Sequence, residues 1–295
     1  MKIGSHDLDE KVLIIAEIGT NHGGSFKRAF GLMELAADTG ADAVKFQAFR
    51  ADTLVNKAAA PAQWEHFKAL ELHYDIFPEL AVRAKELGLM FLCTPFDNDA
   101  VDMLEPLVPA YKVASGDIDN LGFLEHIASK GKPGILSCGT YPDYSVIKDA
   151  VYQFRGKAAI MHCVSEYPTS TRHADLGRIE VMQLWDIAPV VGYSDHTPGF
   201  LACLAAVAMG ARIIEKHFTD DIPPEGYRDY LCSNTPAIMR YLVEATRRLE
   251  TMMHMPQDTS FRETMQHELH RSLYEIDGQL RALRPGDMGM PVRGE

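Results

Sequence analysis

Short, nearly uninterrupted apolar runs alternate with amphipathic stretches along most of the chain. The runs Val12–Ala16, Ala43–Phe46, Met90–Cys93, Ala110–Ala114, Gly134–Ser137, Ala159–His162, Val190–Tyr193 and Arg212–Glu215 predict strands. They are too continuously apolar to leave one face in water, so each reads as a strand covered on both sides. Helical patterns separate them: Phe26–Thr39, Phe77–Leu87, Ala100–Leu107, Leu121–Lys130, Tyr144–Phe154, Leu176–Trp185 and Phe200–Met209, with Pro236–Met252 as the last. Several stop at a glycine (Gly40, Gly88, Gly131, Gly210), a common helix C-terminal signal. Eight strand–helix units predict an α/β fold, a closed (β/α)8 TIM barrel, with an open doubly wound sheet as the alternative. The barrel is expected over residues 1–255, and residues 256–295 read as a short C-terminal appendage without a core of its own. The insertion Arg50–Asp75 after the second strand is the candidate lid.

Composition narrows the partners. The chain has 295 residues, 46% of them hydrophobic, enough for one large core. Its net charge is −12, and no block of Lys and Arg stands out, so neither nucleic acid nor a membrane surface is an expected partner. Any anionic substrate must therefore meet positive groups concentrated in one pocket. The five cysteines are odd in number and widely spaced without zinc-knuckle pairs, which predicts reduced, buried thiols. Residues Met1–Lys11 lack a signal-like apolar run, and the longest apolar stretch, Gly199–Ile214, is broken by Gly210 and Arg212. A cytoplasmic enzyme is the expectation.

Chemistry enters where the strands end. The first runs into Glu17; the second carries Lys45 and Gln47, two apart and so on one face. The third ends at Thr94, and the fourth carries Lys112 before Ser115 and Asp117. The fifth ends at Ser137, the sixth at His162 with Tyr167 beyond, the seventh at Ser194-Asp195-His196-Thr197 and the eighth at Glu215-Lys216-His217. In a (β/α)8 barrel these ends converge on the face that hosts active sites. Thr20, Asp97 and Thr197 precede helices and read equally well as caps. Lys45 and Lys112 do not read so blandly, because a lysine inside an apolar strand is costly without an anion beside it.

His196 and His217 sit at the ends of adjacent strands, which brings their imidazoles near each other. Imidazole suits Mn, Fe, Co or Zn, and Glu17 or Asp229 could complete or orient the shell. His162 is a third candidate. Lys112 with Thr94, Ser115, Ser137 and Ser194 offers one cation and four hydroxyls, a match for phosphate. No Walker loop or dinucleotide fingerprint occurs, so a nucleotide is not implied.

These segments resemble the bacterial sialic acid synthase family, the makers of N-acetylneuraminate, legionaminate and pseudaminate. The resemblance rests on Ala16-Glu17-Ile18-Gly19-Thr20-Asn21-His22-Gly23-Gly24, Val44-Lys45-Phe46-Gln47, Thr94-Pro95-Phe96 and Tyr111-Lys112-Val113-Ala114-Ser115-Gly116-Asp117. It continues through Leu136-Ser137-Cys138-Gly139, Tyr167-Pro168-Thr169, Gly192-Tyr193-Ser194-Asp195-His196-Thr197 and Glu215-Lys216-His217-Phe218-Thr219. It implies condensation of phosphoenolpyruvate with an aldose to a 3-deoxy-2-ulosonic acid, with release of inorganic phosphate. It implies His196 and His217 as ligands of a divalent metal, Mn²⁺ first and Mg²⁺ or Co²⁺ as alternatives. Lys112, Thr94, Ser115, Ser137 and Ser194 become the phosphoenolpyruvate cradle. Glu17, Asp117, Lys45, Gln47 and Tyr167 match positions lining the reaction centre, and Asp229 an acidic sugar or metal contact. A homodimer is the family expectation.

The match breaks at the tail and on the sugar side. Relatives carry a C-terminal antifreeze-like domain that supplies an arginine to the partner subunit's site; here Arg271-Ser272-Leu273 and Arg284-Pro285-Gly286 resemble its two ends with too short a stretch between. Arg284 is thus either a sugar contact or a relic. Ser165 replaces a usual Asn, and Glu225-Gly226-Tyr227-Arg228-Asp229 replaces a usual Gly-Pro-Asp. Two rival readings remain: a Schiff-base aldolase using Lys45 or Lys112, and a catalytically silent scaffold descended from the synthases.

Overall fold

A computed structural model describes residues 1–220, 228–253, 272–276 and 279–283. Two compact units emerge, Met1–Thr251 and Met252–Glu295. The first opens with a small antiparallel pair, β1 (Lys2–Ile3) and β2 (His6–Asp7). Eight parallel strands follow and close on themselves: β3 (Leu13–Gly19), β4 (Ala43–Ala48), β5 (Met90–Pro95), β6 (Tyr111–Val113), β7 (Gly134–Ser137), β8 (Ala158–His162), β9 (Val190–Asp195) and β10 (Ile213–His217), with β10 pairing back onto β3. The expected TIM barrel is therefore present, and the open sheet is not.

The helices are α1 (Phe26–Ala37), α2 (Ala51–Leu54), α3 (Pro61–Leu70), α4 (Phe77–Glu86), α5 (Asn98–Leu104), α6 (Leu121–Ser129), α7 (Tyr144–Gln153), α8 (Gly177–Leu184), α9 (Leu201–Ala208) and α10 (Pro236–Met253). Their starts have local causes. Ser25 caps α1 through the Arg28 amide, and Asp97 caps α5 through the Ala100 amide at 2.7 Å. Helices α2 and α3 lie within the insertion Arg50–Asp75 that the sequence offers as a candidate lid.

Side chains on the barrel strands divide by the period of two. One set, including Ile14, Ala16, Val44, Phe46, Tyr111 and Tyr193, faces the helices and builds the larger core. The other set fills the barrel interior: Leu13, Ile15, Ala43, Leu92, Ala110, Ile135, Ala159, Met161, Val190 and Ile213, with Ile3 and Leu8 joining from the N-terminal segment. This interior plug is apolar at one end only. Continuing each strand by two residues along the same face reaches Glu17, Lys45, Thr94, Lys112, Ser137 and Glu215. The apolar layers therefore form a dry floor beneath a polar rim.

The second unit contains an antiparallel pair, β11 (Ser272–Ile276) and β12 (Gln279–Leu283), with Ser272 opposite Leu283 and Ile276 opposite Gln279. Sequence reasoning assigns no strand there. Among the described residues, no helix is long and apolar enough to cross a membrane.

Candidate active site

At the C-terminal ends of the strands a cavity of 250 Å³ opens, lined by residues from every strand end and from the lid. Glu17, Lys45, Thr94, Lys112, Ser137, Ser194 and Glu215 are all under 5% exposed. Four charges with almost no water must compensate one another. Lys45 Nζ lies 2.9 Å from Glu17 Oε2 and 3.7 Å from Glu215 Oε2, and donates to Thr94 Oγ1 at 3.0 Å. Gln47 Nε2 donates to the other Glu17 oxygen at 3.0 Å. Burial opposes the charge on Lys45, yet the two carboxylates outweigh it and hold its pKa above the ordinary value.

Lys112 sits on the far side of Glu215. Its Nζ donates to Ser137 Oγ at 2.8 Å and lies 3.6 Å from Glu215 Oε1, which also accepts from Ser194 Oγ at 2.9 Å. Burial lowers the Lys112 pKa, since Glu215 is shared and Lys45 repels it. Burial works against the Glu215 charge as well, but Lys112, Lys45 and the Ser194 hydroxyl together hold its pKa well below the ordinary value. Glu215 is the residue to which sequence reasoning assigns no role. Its signal is position alone: two residues before His217, hence on the same face of the same strand.

Across the rim, the His196 and His217 rings lie 5.4 Å apart, centroid to centroid, at 52°. The Tyr167 ring stacks on His196 at 4.0 Å and meets His217 edge-on at 5.9 Å. His196 Nδ1 lies 2.6 Å from the Val164 carbonyl, so Nδ1 carries the proton and donates, leaving Nε2 with its lone pair. Burial first, then the neighbouring His217, pushes the His196 pKa down to about 4, so the ring is neutral at pH 7. His217 Nδ1 is buried without a hydrogen-bond acceptor or donor and lies 3.8 Å from Asp229 Oδ2. Two imidazoles with one carboxylate beside them, one ring nitrogen unsatisfied, are donors that suit a borderline divalent cation. Among the described residues, no three His, Cys, Asp or Glu side chains, these included, converge closely enough to hold a metal ion by themselves.

Other candidates are placed unevenly. Ser115 reaches the cavity rim with its Oγ 3.0 Å from Thr140 Oγ1. Asp117 does not line the cavity; burial and then Asp119 raise its pKa. His162 is not part of the site: its Nε2 is 2.9 Å from the Ala174 carbonyl and its ring stacks on Tyr193, in the helix-facing layer. That corrects its candidacy as a ligand, and the reason is strand parity. Arg284 and the loop 221–227 lie outside the described residues.

The lid closes one wall with apolar groups. Leu54 of α2 and Phe67 of α3 reach the cavity beside Phe96, and Phe67 meets Phe49 edge-to-face at 5.6 Å. The insertion is anchored by Arg50, which pairs with Asp99 at 2.7 Å and lies over the Tyr74 ring, and by Thr53 and Tyr74, both donating to Asp97. At Gly24 the turn after β3 passes so close that a Cβ would stand 2.2 Å from the Ala69 carbonyl oxygen of α3.

Comparison with known proteins agrees with the barrel fold. Residues 32–258 match the NeuB family. The chain is 40% identical to N,N'-diacetyllegionaminic acid synthase of Legionella pneumophila over 260 residues, 81% of this chain and 72% of that protein. It is 34% identical to N-acetylneuraminate-9-phosphate synthase of Mus musculus over 258 residues, 82% of this chain and 71% of that one. The crystal structure of N-acetylneuraminic acid (sialic acid) synthetase from Leptospira borgpetersenii, in complex with citrate, superposes with a TM-score of 0.81 at 33% identity, covering 90% of this chain and 95% of that one.

Proposed function

The chain belongs to the NeuB family, and from that premise we propose that it is a sialic-acid-type synthase joining phosphoenolpyruvate to a sugar aldehyde with release of inorganic phosphate. The observation that supports this most is the union, in one 250 Å³ cavity, of a lysine-and-hydroxyl nest with a pair of imidazoles. Lys112, Ser137, Ser194, Ser115 and Thr94 would hold the phosphate and carboxylate by charge-assisted hydrogen bonds. His196 and His217, with Asp229 beside them, would hold a divalent metal, Mn²⁺ first, which when bound polarises the acceptor aldehyde as a Lewis acid.

The chain's own groups then do the rest. Both substrates are fixed at one rim, so C3 of phosphoenolpyruvate is held against the aldehyde carbon without a bimolecular search. As that bond forms, positive charge grows at C2, and the buried carboxylates Glu17 and Glu215 stabilise it in a cavity that excludes bulk water. Glu17, oriented by Gln47 and Lys45, accepts the proton of the water that adds at C2. The tetrahedral intermediate then expels phosphate by C–O cleavage, with Lys112 and Ser137 receiving its charge. The apolar wall of Leu54, Phe67 and Phe96 suits an acceptor carrying a deoxy carbon or an N-acyl methyl rather than a fully hydroxylated one.

The test is phosphate release from phosphoenolpyruvate with a panel of aldoses (N-acetylmannosamine, a diacetamido-trideoxyhexose, mannose) and Mn²⁺, Mg²⁺ or Co²⁺. A ulosonic acid product and stoichiometric phosphate are expected; no release with any pair would refute the proposal. The lowered pKa of Lys112 favours one second reading, a Schiff-base aldolase. Borohydride trapping of pyruvate on Lys112 would support that rival; a strict metal requirement with no trapping is the expected result. A homodimer is proposed on the family expectation, and sedimentation of the full chain at micromolar concentration tests it.

A further inference from the structure

On the outer face of the same two strands lies a second charged pair. Asp195 of β9 and Lys216 of β10 are register partners, and both side chains are fully buried, with Lys216 Nζ 2.7 Å from Asp195 Oδ2. Neither lines the cavity, because Ser194 and Glu215, one residue earlier on each strand, point inward. The carboxylate is saturated. Its Oδ1 accepts from Tyr193 OH at 3.0 Å and from the Thr197 amide at 2.9 Å; its Oδ2 accepts from Lys216 and from Cys203 Sγ of α9 at 3.2 Å. Lys216 Nζ also donates to the Thr197 carbonyl.

An ion pair this dry is not explained by stability. Removing both charges from water costs about as much as the pair returns, and an apolar pair of the same volume commonly does as well. What an apolar pair could not do is grip backbone. Asp195 holds the Thr197 amide and Lys216 holds the Thr197 carbonyl, so the peptide units on either side of Thr197, the residue after His196, are clamped by the residues that precede His196 and His217. Each imidazole thus leaves its strand one residue from a shared buried anchor.

We propose that Asp195 and Lys216 are positioning residues that set the spacing and aim of His196 and His217 for the bound metal. The network acts through backbone alone: neither side chain reaches ligand, metal or substrate. The inference rests on the proposed function insofar as that reading places the metal on the two imidazoles. It predicts that the pair governs metal affinity and leaves the Lys112–Ser137 contact of the anion nest, on β6 and β7, as it was.

The test uses the full chain. Mn²⁺ binding is read by loss of the free-ion EPR signal, and phosphoenolpyruvate binding by calorimetry after chelator treatment. In the double variant Asp195→Asn/Lys216→Met, Mn²⁺ affinity should fall about 10–100-fold, the range for residues that orient ligands without touching the metal. Phosphoenolpyruvate affinity without metal should stay within about twofold. Tyr193→Phe removes one donor without leaving a buried charge, so it should fold, and it should weaken Mn²⁺ by about threefold or more. Should the double variant fail to fold, Tyr193→Phe decides alone, and an unchanged Mn²⁺ affinity there overturns the proposal. So does parallel loss of both ligands, which would mark a merely structural role. His196→Ala in the otherwise unaltered chain separates the two levels: if it leaves Mn²⁺ binding intact, the metal assignment itself fails, whereas its loss there with full binding in the double variant refutes only the positioning role.

Discussion

Lys112 Nζ donates to Ser137 Oγ at 2.8 Å, across the seam between β6 and β7 and below 5% exposure for both residues. A buried ammonium already fixed toward a hydroxyl is a preorganised anion site, because the geometry is set before the ligand arrives. Lys112→Met should therefore weaken phosphoenolpyruvate binding by about 10–100-fold, the worth of a charge-assisted hydrogen bond, while acceptor KM moves by less than about threefold. Calorimetry and steady-state kinetics check this, and equal losses for both substrates would undo the assignment.

Lys45 and Glu17 form the other buried contact, at 2.9 Å with 3% and 2% of their side chains exposed. Lys45→Met leaves Glu17 without a cation beside it and Glu215 with Lys112 alone, and should destabilise the barrel by about 3–5 kcal/mol. Adding Glu17→Gln should restore a good part of that loss. Urea unfolding of the two single variants and the double gives the coupling; strictly additive effects would mean that the pair is not coupled.

Gly24 adopts φ +73°, and its missing Cβ is what lets the Ala69 carbonyl approach. Gly24→Ala must push α3 outward and with it Phe67, at a cost of about 1–3 kcal/mol. The expected kinetic result is a several-fold rise in acceptor KM with phosphoenolpyruvate affinity unchanged. An unaltered acceptor KM would show that the lid's position does not matter to the sugar.

His22 is buried in the turn after β3, accepting the Gly24 amide on Nδ1 at 3.1 Å. Burial pushes its pKa from the ordinary 6.5 down to about 4. Between those values the unfolded chain binds a proton that the folded chain refuses, so stability falls as pH falls through that window. His22→Gln should flatten the acid limb of the stability profile by one proton, about 1.4 kcal/mol per pH unit. Urea midpoints at pH 7, 6 and 5 check it; parallel profiles for variant and parent would exclude the effect.

The barrel was legible because its signals are local. Eight apolar runs, each followed by a helical period, define eight strand–helix units, and the observed strands begin within one residue of their predicted starts. The strand ends were less so: β3, β4, β5, β9 and β10 each extend two or three residues beyond the apolar run, since hydrogen bonds to neighbours persist where apolarity stops. Period-two parity already put Lys45 with Gln47 on a shared face.

What the chain determines by itself is thus which residues lie on an inner face and at which end of a strand, because that follows from the alternation of a single extended backbone. Distances between strands are another matter. That Glu215 is shared by Lys45 and Lys112 and that Asp195 meets Lys216 behind the two histidines depend on register between segments far apart in sequence. Only closure of the barrel sets that register, since the hydrogen bonds that impose it do not exist until the strands are side by side.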